Sequence, residues 1–312
     1  MANVPNLLDR YRGCLMGLAL GDALCAGREG GPLEQLLWRL IGRTGGLHRY
    51  TDDTQMSLDL AGHFITHRSI VPDVLASDFA RSYRWSRGYG PSTAHVLKQI
   101  RAGVDWRVAA RSKHPAGSYG NGAAMRAPVL ALAYLGKPIE MENALIAASS
   151  ITHPHPSAIM GARLICLAVA AGLNDVGDAD FLGQLSAVAA GSDYERPLVQ
   201  VRTFMAQSDI PKPIIIRQTL GTGTAAVESC PTAIFLGLRF SDRPIAELIA
   251  YVNRCSGDTD TIAAMAGALW GAINGLERMP EPTRHAVEGH ASILSTAARL
   301  HEAACQGALA AI

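Results

Sequence analysis

The sequence predicts an all-α fold. Alternation of period two, the mark of half-buried strands, is almost absent, whereas small and large apolar residues recur at spacings of three and four in segment after segment. Glycine and proline gather between those segments, as in GREGGP, RGYGPS, HPAGSYGNG, HPHP and IPKP, where they punctuate helices best. With 312 residues, 48% of them hydrophobic and only 18% charged, the chain has enough apolar surface to bury a large helical core.

The first helix is expected over about residues 6–26. Its glycines 13, 17 and 21 fall four apart on one face, costing helix propensity but letting a neighbouring backbone approach closely. Helices over about 53–67, 73–87 and 91–101 come next, the first opened by TDDT and the last two parted by RGYGPS. A helix over about 122–135 begins at AAMRAP behind the glycine loop GSYGNG, and helices over about 140–152 and 156–173 are divided by HPHP. Those over about 179–190 and 194–208 end at IPKP, after which PIIIRQ (213–218) reads as a short strand. The remaining helices cover about 224–240, 243–254, 259–275 and 283–307. No repeat, low-complexity tract or break in composition divides the chain, so a single domain over residues 1–312 is expected.

A net charge of +1, from 28 basic and 27 acidic residues with no run of one sign, gives no electrostatic basis for binding nucleic acid or a membrane surface. A small-molecule partner is expected instead. Six cysteines (Cys14, Cys25, Cys166, Cys230, Cys255, Cys305) form no CxxC pair or zinc-type spacing, and several sit in apolar helical stretches as small hydrophobes, which fits a reducing cytoplasm. The early apolar stretch CLMGLAL lies between Asp9 and Asp22 without a basic cluster, so it reads as helix and not as a signal peptide. No apolar run reaches the roughly 18 residues of a membrane span without a charge.

Two acidic clusters carry the chemistry. In CSGDTDTIAAMAGALWGAING (255–275), Asp258 and Asp260 abut a run too apolar for a solvated surface, and HRYTDDTQMSLDLAGHF (48–64) places Thr51, Asp52 and Asp53 ahead of a second apolar helix. For TDDT alone, a capping threonine and acidic first turn are the ordinary arrangement, worth roughly 0.5–2 kcal/mol. Capping does not account for GDTDT. Asp258, Asp260 and Thr261 offer three oxygen donors within four residues, and adjacent buried anions need compensation. Carboxylate and hydroxyl oxygens are hard ligands suited to Mg²⁺ or Mn²⁺, and two facing helix starts would make a two-metal site.

TDDTQ, GSYGNGAAMR and GDTDTIAAMAGA, in that order, resemble the motifs of the ADP-ribosylglycohydrolase family. The resemblance runs from about residue 8 to 280. RGYG, GSYGNG, SITH, AAVESCPTAI and GDTDTIAAMAGA look closest to the branch that includes ADP-ribosyl-serine hydrolases, while YTDDTQM is also similar to the dinitrogenase reductase-activating glycohydrolases. The resemblance implies a compact multi-helix orthogonal bundle and a dinuclear centre of two Mg²⁺ or Mn²⁺ ions. Thr51, Asp52 and Asp53 would hold one ion and Asp258, Asp260 and Thr261 the other, with Asp260 as a bridge.

The same resemblance assigns Gly117, Ser118, Tyr119, Gly120 and Asn121 to ADP-ribose, with Tyr119 stacking on adenine; a Gly-rich loop of free N–H groups suits a pyrophosphate. Gly90, Thr224 and His153 match positions lining the ligand, and His155 is left structural. Lys113 stands where some relatives of the serine-directed branch carry an aromatic residue, leaving His114 as the substitute ring. Glu29, in the glycine-rich CAGREGGP, matches a mobile glutamate that gates the metals and assists catalysis. The reaction implied is hydrolysis of the bond between ADP-ribose and an acceptor, with Asp53 orienting or deprotonating water and Glu29 protonating the leaving oxygen. An O-linked, serine-like acceptor is expected; an N-linked arginine acceptor and a non-catalytic ADP-ribose module are the alternatives. A metal phosphohydrolase would call for His–Asp ligation, and a helical scaffold for indifference to metal.

Overall fold

The computed structural model describes residues 5–28 and 32–309. Its helices, in chain order, are α1 (Leu7–Cys25), α2 (Pro32–Ile41), α3 (Asp52–His67), α4 (Pro72–Ser82), α5 (Pro91–Arg101), α6 (Trp106–Ala109), α7 (Ala127–Ala133), α8 (Pro138–Ser150) and α9 (Pro156–Leu173). They continue with α10 (Asp178–Val188), α11 (Glu195–Met205), α12 (Pro213–Thr219), α13 (Ala226–Arg239), α14 (Ile245–Cys255), α15 (Thr259–Asn274), α16 (Glu281–Arg284) and α17 (His290–Leu309). The all-α expectation is met. The only sheet among the described residues is a hairpin, β1 (Arg43–Thr44) and β2 (Leu47–His48), whose two-residue turn uses Gly45 and Gly46 at φ 57° and 83°.

The centre of the molecule is the pair α1 and α15. A methyl group on Gly17 would stand 2.1 Å from the Gly267 carbonyl oxygen, one on Gly13 2.5 Å from that of Gly271, and one on Gly21 2.0 Å from that of Ala263. As the α1 position rises by four the α15 position falls by four, so the helices run antiparallel in backbone contact. The C-terminal end of α1 therefore lies beside the start of α15, where Thr259 Oγ1 donates to the Cys25 carbonyl at 3.3 Å. Around this pair lie α3, α9, α13 and α17, whose apolar faces join one buried cluster that includes Trp270, Phe235, Leu60 and Leu300. Helix α9 is the one described helix long and apolar enough to span a membrane, but 61% of that window is buried here, and its Arg163 pairs with Glu142.

Four expectations are corrected. PIIIRQ is not a strand but α12: Pro213 opens it at a position whose missing N–H costs nothing, and Ile216 alone is buried while Ile214 and Ile215 are exposed, so no alternating face exists. The helix expected over 73–87 ends at Ser82, and residues 85–87 form a separate 3-10 turn closed by Gly88 at φ 76°. The helix expected over 122–135 is regular only as α7, because 121–123 is a 3-10 turn. The last helix is divided into α16 and α17 at Gly289, φ 66°. Helices α2 and α6 and the hairpin were not foreseen.

Candidate active site

Asp22 organises the site from α1. Its carboxylate is fully buried and accepts the Thr51 N–H at 2.9 and 3.0 Å, the Thr54 N–H at 3.0 Å and the Thr54 hydroxyl at 2.6 Å. It thereby ties the start of α3 to the end of α1, to which the start of α15 is already tied by the glycine contact. The two acidic clusters meet as a result: the Thr261 hydroxyl donates to Asp53 Oδ1 at 3.4 Å, although 208 residues separate them. One ligand-type oxygen from each of Asp22, Asp53 and Asp260 lies within 4.8 Å of the others, and all three residues are buried.

Burial pushes the Asp22 carboxyl up to about 6, against hydrogen bonds from Thr54 and Thr51, and also pushes Asp258 up, against hydrogen bonds led by Asn121. What offsets burial at these two carboxyls is hydroxyl, amide and backbone N–H, joined at Asp258 by a hydrogen bond with the Asp260 side chain. The N-terminal ends of α3 and α15 add their positive dipole ends. Such a donor set, oxygen only and rich in anions, fits hard divalent cations and has no Cys or His that would favour zinc.

A cavity of about 210 Å³ opens onto the cluster. Of the residues picked out by sequence, Asp52, Asp53, Gly90, Ser118, Gly120, Asn121, His153, Thr224, Asp258, Asp260 and Thr261 line it. Thr51 is buried beside it, its hydroxyl accepting the Asp53 N–H at 3.3 Å as the cap of α3. Gly117 and Tyr119 are not among the lining residues. Gly117 turns the loop at φ 91°, where a Cβ would meet the His155 nitrogen at 2.7 Å; Tyr119 is 59% exposed. The ring beside Tyr119 is His155, edge-on at 6.0 Å, while His155 also caps α9 by accepting the Ser157 N–H at 3.1 Å. Glu29 lies outside the described residues.

Three loops are stitched together around the cavity. Gly120 bridges to Ala225, the Asn121 N–H donates to the Thr224 carbonyl at 2.9 Å, and the Asp258 N–H donates to the Thr222 carbonyl at 2.8 Å. Asn121 Nδ2 then reaches Asp258 Oδ2 at 2.6 Å, so the glycine loop is coupled directly to the second acidic cluster. Entry to α15 is strained: Ser256 sits at φ 60°, ψ 170°, a conformation that ordinarily requires glycine. Asp22 is the site residue that sequence reasoning missed. Its signal was a carboxylate next to Gly21 inside an apolar helix, the same conflict that singled out Asp258 and Asp260.

The family model for ADP-ribosylglycohydrolase matches residues 3–308. The chain belongs to the ADP-ribosylglycohydrolase family. That places it among the glycosyl hydrolases. It is 31% identical to ADP-ribosylhydrolase ARH3 of Xenopus tropicalis, over 96% of this chain and 97% of the relative, and 33% identical to that of Gallus gallus, over 95% and 94%. Similarity to the ADP-ribosyl-[dinitrogen reductase] glycohydrolase of Rhodospirillum rubrum is lower, 26% over 88% of this chain and 89% of the relative. A solved ADP-ribosylglycohydrolase-related protein complex shares the fold, with a TM-score of 0.72 at 23% identity, covering 96% of this chain and 99% of that one.

Proposed function

We propose that the protein is a divalent-metal-dependent hydrolase that cleaves the glycosidic bond between ADP-ribose and a modified acceptor. The observation that carries this reading is the meeting of the two remote acidic clusters at one cavity, with Thr261 on Asp53 and Asp22, Asp53 and Asp260 within 4.8 Å. Mg²⁺ or Mn²⁺ is the proposed cofactor, as a pair, held by Thr51, Asp52, Asp53, Asp258, Asp260 and Thr261. When bound, such ions supply electrophilic stabilisation of oxygen and lower the pKa of water.

The chain's own residues do the rest. The loop from Gly117 to Asn121 would contact the pyrophosphate through Ser118, Gly120 and Asn121, which line the cavity beside His153 and Thr224, with Gly90 also in the lining. Asp53 orients and deprotonates the attacking water, and Glu29 gives a proton to the leaving oxygen. An O-linked, serine-like acceptor is proposed, supported by the resemblance of the glycine loop and the GDTDT segment to the serine-directed branch. Five of the six free cysteines are buried, in keeping with the proposed reducing, cytoplasmic setting.

The test is release of free ADP-ribose from serine- and arginine-modified peptides with Mg²⁺ or Mn²⁺, with EDTA as control. Asp258→Asn and Asp260→Asn are expected to lose turnover by at least about a thousandfold while keeping the wild-type circular dichroism. Full activity in both variants, or in EDTA, refutes the metal-dependent reading; preference for the arginine peptide refutes the O-linked one.

A further inference from the structure

A buried cation lies behind the cavity wall, and its hydrogen bonds have a direction. Arg126 is 1% exposed, and among the described residues no carboxylate forms an ion pair with it, although the Asp52 charge acts on it from a distance. Its Nη1 donates to the Gly122 carbonyl at 2.8 Å and its Nη2 to the Ala148 carbonyl at 3.0 Å and to Thr152 Oγ1 at 2.8 Å, with the guanidinium stacked over Phe79. Thr152 Oγ1 in turn lies 2.8 Å from His153 Nδ1. A guanidinium has donors only, so the threonine oxygen must accept from Arg126, and the single hydroxyl hydrogen is left for His153 Nδ1. Nδ1 then accepts, and a neutral ring carries its proton on Nε2. With the proton on Nδ1 instead, Thr152 would accept twice and neither of its hydrogen-bonded neighbours would take its hydrogen.

The other edge of the ring faces the ligand side. A methyl group on Gly122 would stand 2.4 Å from His153 Cε1 and 2.9 Å from Nε2, and one on Gly120 3.4 Å from Nε2. Gly120, Gly122 and His153 all line the cavity, and Nε2 has no hydrogen-bond partner among the described residues. The ring is 4% exposed, and burial keeps it neutral.

We propose that Arg126 and Thr152 are positioning residues that lock His153 as an Nε2–H donor toward an anionic oxygen of ADP-ribose. The ligand rests on the proposed function; the tautomer does not. A lone pair on Nε2 would repel a phosphate oxygen, whereas a fixed N–H hydrogen-bonds it, so the direction of the relay decides whether this wall attracts or rejects the ligand.

The experiment is nitrogen-15 NMR of the histidine side chains with calorimetric titration of ADP-ribose, on wild type, Thr152→Val and Thr152→Ser. Wild-type His153 is expected to show a protonated Nε2 and an unprotonated Nδ1. Thr152→Val keeps the shape but removes the hydroxyl; its His153 signals should shift toward mixed tautomers, and ADP-ribose affinity should fall about tenfold. Thr152→Ser should restore both. A wild-type ring protonated on Nδ1 overturns the relay by itself, whether or not the valine variant folds. Unchanged affinity in Thr152→Val despite altered ring signals overturns the role in binding. If wild type binds no ADP-ribose, the proposed function falls, and the ligand-free spectrum still decides the tautomer.

Discussion

Asp59, two turns along α3 from Asp52, shows at the scale of one residue how burial sets a charge. Burial pushes its carboxyl up to about 6, against hydrogen bonds from Ser82 and Gln55, and the nearby Asp78 adds to the rise. The native state thus holds this proton more tightly than the unfolded chain. The resulting stability is full below the ordinary value of 3.8 and is lost as pH rises through about 6. Asp59→Asn keeps the shape without the charge, so the variant should melt like wild type near pH 4 and be more stable by about 1–3 kcal/mol above pH 7. Equal melting temperatures at both ends of that range would mean that Asp59 ionises without cost. At this scale the sequence was most legible where chemistry conflicts with surroundings: Asp258 and Asp260 stood out against an apolar run. Asp22 presented the same conflict but lacked a second carboxylate nearby, and its role, accepting from Thr51 and Thr54, depends on contacts 29 and 32 residues away.

Helix α1 was readable as an element because its glycines repeat every four residues, and the close approach they imply is present against α15. Helix α15 and its C-cap carry the same spacing, with Gly267, Gly271 and Gly275 four apart, but nothing local pairs one glycine row with the other. Other elements were hidden for opposite reasons. Helix α2 lies between glycine clusters that look like loop, and α12 is built of β-branched residues whose strand preference loses to Pro213 and to the burial of Ile216 alone. The α1–α15 contact has a measurable consequence. Gly17→Ala gains helix propensity but places a methyl group 2.1 Å from the Gly267 carbonyl oxygen, backbone that cannot swing aside; a loss of about 3 kcal/mol in urea melts is expected. Gly62→Ala, in α3 with nothing within 4 Å of the added methyl, should instead gain about 0.5–1 kcal/mol. If both variants gain stability, the backbones of α1 and α15 are not in contact.

For the whole molecule, the acidic site is a property of the completed fold. Asp53 and Thr261 are 208 residues apart and meet only because α1 holds α3 through Asp22 and α15 through its glycines. The two halves of the site were legible as motifs; their meeting was not, because it is produced by packing and not by any local pattern. A cation that needs both halves has no site in the unfolded chain, so its binding free energy becomes folding free energy. At a concentration a hundredfold above the dissociation constant this amounts to about 2.7 kcal/mol, which for a chain of this size raises the melting temperature by roughly 5 °C. Saturating Mg²⁺ or Mn²⁺ should therefore shift the thermal transition upward by that order, EDTA should reverse the shift, and Asp260→Asn should remove most of it. Scanning calorimetry with and without each ion measures this directly. A transition that ignores both ions in the wild-type protein would separate the convergence of α3 and α15 from metal binding altogether, leaving the buried carboxylates to be held by protons and hydrogen bonds alone.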